Sequence, residues 1–187
     1  MEIITSFEMK KILKERLGFY DFKNNVSNNK TFLIKFNKKI NVFRFSNYLC
    51  DEDVACWECQ IETLKKIFLK IIDSYSDGHI ILAKYDENWV NDNEKNVELL
   101  SIFKNNNLKI NFNGGIRTEE KYIIEAFLMG NLKYFSFVHF LIAEKGIIIT
   151  PTDHMDIFIN ISDINQNIGI IKKIVKENDE LMFVETS

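Results

Sequence analysis

Three cysteines fall within one short stretch, Cys50, Cys56 and Cys59. Cys56 and Cys59 form a C-x-x-C pair, and thiolates one helical turn apart can share a zinc ion. A closed zinc site needs four ligands, usually from two such pairs, and the chain offers no second pair. His79, His139 and His154 are all distant in sequence. A redox dithiol is expected beside a βαβ unit, which does not precede this pair. The cysteines therefore read as small apolar residues beside Trp57, with no metal and no cofactor expected.

A second cluster, Asp153, His154 and Asp156, sets an imidazole between two carboxylates. Such a group can act as a general base or bind a ligand. The same residues also suit a solvated turn. His139 lies in an apolar run and reads as a partly buried core residue. Asn113-Gly114-Gly115 follows a strand pattern, yet it has neither G-x-G-x-x-G nor the Lys-Ser/Thr of a P-loop. Neither G-x-S-x-G nor H-E-x-x-H occurs, so the common hydrolase and metalloprotease signatures are missing.

A third set points to binding rather than chemistry. Asp51, Glu52 and Asp53, with Asp86 and Glu87, are acidic groups close in sequence to Trp57 and Trp89. Acidic residues around an aromatic anchor suit a basic protein partner, because opposite charge speeds encounter and buried aromatics hold it. The structural alternative is a helix cap plus a solvated loop.

The elements that must position these groups are legible. Thr5 and Glu8 have capping-box spacing, and Gly18 suits a helix stop, so a helix is expected between them. Its thin stripe of Phe7, Ile12, Leu13 and Leu17 suggests a helix on the outside of the fold. Phe32, Ile34 and Phe36 alternate as a strand; Ile40, Val42, Phe43 and Phe45 make its expected hairpin partner. Val54, Trp57, Ile61, Leu64, Phe68, Ile71 and Tyr75 share one face of a long helix, capped by Asp51 or Asp53. His79–Tyr85 reads as a buried central strand. A short helix near Val97–Phe103, a strand at Leu108–Phe112 closed by Gly114-Gly115, and a helix from Thr118 to Gly130 follow. Three strands then come in close succession, Tyr134–Ala143, Ile147–Ile149 and Met155–Ile161, turning at Glu144–Gly146 and Pro151–Asp153. A helix carrying Ile164, Ile168, Ile171 and Val175 and a short strand near Leu181–Val184 complete the chain.

Helices and strands in blocks, rather than in strict alternation, predict an α+β fold: a mainly antiparallel sheet with helices packed on it, and a C-terminal β-meander followed by a helix. The 187 residues suit a single domain, residues 1–187, large enough to bury a core without disulfides or metal. Sixteen Phe, one Pro and 46% hydrophobic residues exclude a disordered chain. The net charge of −3 argues against direct nucleic-acid binding. No leader pattern and no membrane-length apolar run is visible, and the odd cysteine count suits a reducing compartment. The expected location is the cytoplasm.

The stretch Val138–Asn160 resembles the C-terminal part of an uncharacterised bacterial domain-of-unknown-function family. The residues that carry it are Val138–Ile142, Gly146–Ile149 and Asp153–Ile157. The family pattern of apolar strand, turn, Ile-rich strand and D-D-R-G-x-D lacks its Arg-Gly pair here. The resemblance implies a shared strand arrangement and supplies no activity. The resulting expectation is a protein-binding module, a cytoplasmic immunity protein that neutralises a basic bacterial toxin domain through Asp51, Glu52, Asp53, Asp86, Glu87 and Trp89. The alternative is a small enzyme or ligand-binding domain around Asp153, His154 and Asp156.

Overall fold

The computed structural model describes residues 1–21, 26–27, 29–38, 51–75, 77, 79–84, 88–90, 97–134, 136–162 and 164–186, with the side chains of 19–21, 26–27, 51–53, 134 and 164–167 left aside. Strand β1 (Glu2–Thr5) runs straight into α1 (Ser6–Glu15). The switch has a local cause: the Thr5 side chain accepts from the Glu8 backbone N–H while the Glu8 carboxylate accepts from the Thr5 N–H at 3.0 Å. This reciprocal cap fills two orphan donors of the first turn. A small ribbon, β2 (Phe19–Asp21) and β3 (Val26–Ser27), follows. Then come β4 (Lys30–Phe36), the long α2 (Asp51–Tyr75) and β5 (Ile80–Ala83). Next are α3 (Val97–Asn105), β6 (Gly114–Thr118), α4 (Lys121–Tyr134) and β7 (His139–Ile142). The chain continues through β8 (Ile147–Thr152), β9 (Asp156–Ile161), α5 (Ile164–Lys176) and β10 (Leu181–Thr186).

Eight strands form one antiparallel sheet in the order β1-β6-β5-β7-β8-β9-β4-β10. The expected α+β class, antiparallel sheet and β7-β8-β9 meander followed by a helix are all present. The two faces of the sheet differ. Alternate residues such as Phe32, Ile34, Phe140, Ile149 and Ile159 join α2, α3, α4 and α5 in the main core. The opposite face packs Ile81, Ala83, Leu141 and Ile148 against Met9, Leu13 and Leu17, at and just beyond α1, in a smaller cluster. The period of two in each strand makes this division. Within the expected stripe of α1, Leu13 and Leu17 are buried, whereas Phe7 is 78% exposed.

Four expectations bear on how the elements are joined. First, β4 is paired on one side with β9 and on the other with β10, and the hairpin partner expected at Ile40–Phe45 lies outside the described residues. Second, the strand near Leu108–Phe112 is reduced to a bridge between Asn111 and Asn88, and Gly114-Gly115 open β6 instead of closing a strand. Both glycines permit close approach: a Cβ on Gly114 would lie 2.1 Å from the Ile4 carbonyl oxygen, and one on Gly115 2.5 Å from Met9 Sδ. Third, α4 continues through Gly130 to Tyr134, so β7 begins only at His139. Fourth, Pro151 sits inside β8 and the turn falls at residues 153–155. Pro151 pairs with Ile157 of β9, whereas the β7 partners of β8 are Ile147, Ile148 and Ile149, so its missing N–H breaks no β7–β8 pair there.

Candidate functional site

The aromatic anchor expected at Trp89 is not at the surface. Trp89 is fully buried, its Nε1–H donates to the Phe112 carbonyl oxygen at 3.1 Å, and its ring stacks on Phe112 at 4.9 Å. An indole whose single donor is satisfied by backbone can enter a core, and this one packs edge-on to Phe127. Trp89 is therefore a core residue and not a surface anchor. Asp51, Glu52 and Asp53 are the first residues of α2, with side chains outside the described set, and Asp86 and Glu87 lie outside it altogether. Cys56 and Cys59 are exposed free thiols on α2, and the half-buried Trp57 between them lies under the Lys133 ammonium at 5.8 Å. Among the described residues no group of three or more His, Cys, Asp or Glu side chains could hold a metal ion.

The second expected cluster is divided. Asp156 is buried on β9, where its carboxylate accepts from the hydroxyl of the facing Thr152. His154 is exposed, and its backbone N–H donates to Thr152 Oγ1 at 3.2 Å. Asp153 is half-buried, and Met155 closes the three-residue turn with φ of 58°. This is the left-handed closing position that three-residue hairpins use. The turn thus sends Asp156 into the sheet and leaves His154 in solvent.

Asp156 keeps company that no motif announces. On the sheet face that carries α1, His139, Thr150, Thr152, Asp156 and Asn160 are all buried. His139 Nδ1 lies 2.7 Å from Thr150 Oγ1, and Thr31 Oγ1 donates to Asn160 Oδ1 at 2.7 Å. Burial pushes the His139 imidazole down to about 3, so it is neutral at physiological pH. The signal was available: on β7, β8 and β9 these positions alternate with Phe140, Ile149 and Ile159. It became readable only once the strands were set side by side.

A groove of about 430 Å³ opens where the start of β5 and the ends of β6 and β7 meet the start of β1 and the ends of α1 and α2. Ile12, Ile81, Ile142 and Ala143 give it an apolar floor. Charged side chains stand around that floor in pairs. Arg117 Nη1 contacts Glu2 Oε2 at 2.8 Å across the β1–β6 pair, and Arg16, just beyond α1, contacts Glu144 of the β7–β8 turn. His79 pairs with Glu119, and both side chains are well exposed. Tyr75 closes the α2 side, and burial raises its phenol to about 12, keeping it protonated. Sequence reading missed this site because its residues come from positions 2 to 144 and carry no common motif. No helix among the described residues is long and apolar enough to cross a membrane. No protein-family model, curated protein or solved structure matches the chain.

Proposed function

We propose that this chain is a protein-binding module, and specifically a cytoplasmic immunity protein that covers a basic toxin domain made by the same bacterium. One observation carries the reading. β1 is the terminal strand of the sheet, paired on one side with β6 and without a strand on its other side among the described residues. Beside that edge Ile3 is 44% exposed and Phe7 78% exposed. A sheet edge offers unpaired backbone groups to an incoming strand. An exposed phenylalanine next to it provides an apolar anchor of the kind that dominates interface energetics. Glu2 and Glu8 flank the two apolar residues, and the chain as a whole carries −3, so a basic partner meets favourable charge on approach.

The test is affinity capture with the tagged full chain, followed by titration of the captured partner against variants. The expected result is one stoichiometric basic protein whose binding weakens with salt and falls at least about tenfold, roughly 1.4 kcal/mol, for Phe7→Asp. Charge reversal at Asp51, Glu52, Asp53, Asp86 and Glu87 separates long-range attraction from direct contact: it slows association if these groups steer the partner. A partner that binds Phe7→Asp and Ile3→Asp as tightly as the wild type refutes the edge as the docking surface. Absence of any protein partner for folded bait refutes the module itself.

A further inference from the structure

Arginine is scarce in this chain, and the groove holds most of it. Of 24 Lys and Arg side chains only three are arginines, Arg16, Arg44 and Arg117. Arg16 and Arg117 both line the groove. The two basic residue types are not equivalent, since a guanidinium presents a planar fork that matches a carboxylate, whereas an ammonium is a point charge. A chain that uses lysine almost everywhere places the carboxylate-reading side chain here twice.

Both arginines are engaged with groups that an incoming ligand can displace. Glu144, beside Arg16, is 70% exposed, and Glu2, beside Arg117, is 64% exposed. Ion pairs so open to water contribute little, because solvent screens them and the long side chains must be ordered. Asp77 makes the opposite demand. Its exposed side chain lines the same groove, and among the described residues no cation pairs with it. Leaving His79 aside, the lining carries two positive and three negative side chains, Arg16 and Arg117 against Glu2, Asp77 and Glu144. A simple anion therefore meets net repulsion, and a simple cation leaves both guanidinium forks with their glutamates.

We propose that the groove binds a small zwitterion with an apolar body, in the chemical class of the apolar amino acids and their dipeptides. The ligand carboxylate lies on the guanidinium of Arg16 or Arg117, its ammonium on Asp77, and its aliphatic part on Ile12, Ile81 and Ile142. A volume of about 430 Å³ falls within the range of small-ligand pockets. The inference does not depend on a protein partner at β1, because Ile3 and Phe7 are not part of the lining.

The test uses the full chain with L-leucine and leucyl-leucine as probes, read by titration calorimetry and thermal shift. N-acetyl-leucine and leucinamide serve as controls that remove one charge each. Saturable binding of L-leucine or leucyl-leucine is expected, weakened about twofold to fivefold by capping either end. Asp77→Asn should weaken L-leucine and leave N-acetyl-leucine unchanged. Arg117→Lys and Arg16→Lys should weaken L-leucine, leucyl-leucine and N-acetyl-leucine and leave leucinamide unchanged. Circular dichroism establishes that each variant is folded, and Asp77→Asn, at an exposed position, keeps the test decisive if an arginine variant does not fold. Folded wild type that binds neither probe at millimolar concentration overturns the proposal. So does binding that is indifferent to both caps and to Asp77→Asn.

Discussion

Asn131 is the residue whose replacement should reveal most about how the strand ends are held. It is 1% exposed on α4 and makes a three-way clamp. Its Nδ2 donates to the Val138 carbonyl oxygen at 2.6 Å and to the Pro151 carbonyl oxygen at 3.0 Å, and its Oδ1 accepts from the Val138 N–H at 2.9 Å. The clamp thereby fixes the entry to β7 and the end of β8, the strands that carry His139, Thr150 and Thr152. Asn131→Asp keeps the shape and the acceptor and removes both donors. At low pH the new carboxyl is neutral and can donate to one of the two carbonyls, leaving the other unsatisfied at a cost of about 1–3 kcal/mol. Ionisation would set a buried negative charge against two carbonyl oxygens, so the carboxyl's pKa in the folded state rises above the unfolded value near ~3.9. The sign follows: below the unfolded pKa both states are protonated and no ionisation penalty exists. As pH rises the unfolded state loses its proton first, and the folded state loses about 1.4 kcal/mol per pH unit until its own pKa is reached. By pH 7 this adds at most about 4 kcal/mol. Urea unfolding at pH 4, 5, 6 and 7, compared with wild type at each pH, measures the difference directly. Asn131→Ala should give a loss that does not vary with pH. If the Asn131→Asp deficit is the same at pH 4 and pH 7, or below about 1 kcal/mol throughout, the clamp does not work as described.

Three other outcomes are expected. Asn107 has φ of 52° at the end of α3, where Leu108 N–H donates to Phe103 and Asn107 N–H to Lys104, so Asn107→Gly should stabilise by about 0.5–1 kcal/mol and Asn107→Val should destabilise by about 1 kcal/mol, read as Tm shifts of opposite sign. Gly114→Ala, at φ of 143° with the Ile4 carbonyl in the way, should separate β1 from β6 and lower stability by about 3 kcal/mol or more; a loss under about 1 kcal/mol would show that β1 yields without strain. His139, held down to about 3 by burial, takes up its proton only in the unfolded state between pH 6.5 and 3. The stability it contributes is complete above its unfolded pKa and is lost as pH falls, by about 1.4 kcal/mol per unit, so His139→Gln should flatten the acid limb of a stability-against-pH curve; an unchanged slope would place the acid sensitivity elsewhere.

What the sequence by itself determined was local and periodic. The Thr5–Glu8 cap, the buried face of α2 from Ile61 to Tyr75, the wholly buried β5 and the meander of β7, β8 and β9 follow from spacing, because hydrogen bonds within a turn and apolar residues at a period of two or 3.6 are set by near neighbours. The tertiary structure decided everything that depends on which strand lies beside which. β4 received β9 and β10 as neighbours, from positions more than a hundred residues later. Trp89 entered the core because the Phe112 carbonyl was there to accept its N–H. Asp156 and His154, two residues apart, were sent to opposite environments by one left-handed residue at the turn. The groove joins Glu2 to Arg117 and Arg16 to Glu144, pairs that only the packing of distant segments brings within reach of each other. A site built in this way leaves no motif, since the energy of a contact depends on distance in space and not on separation along the chain.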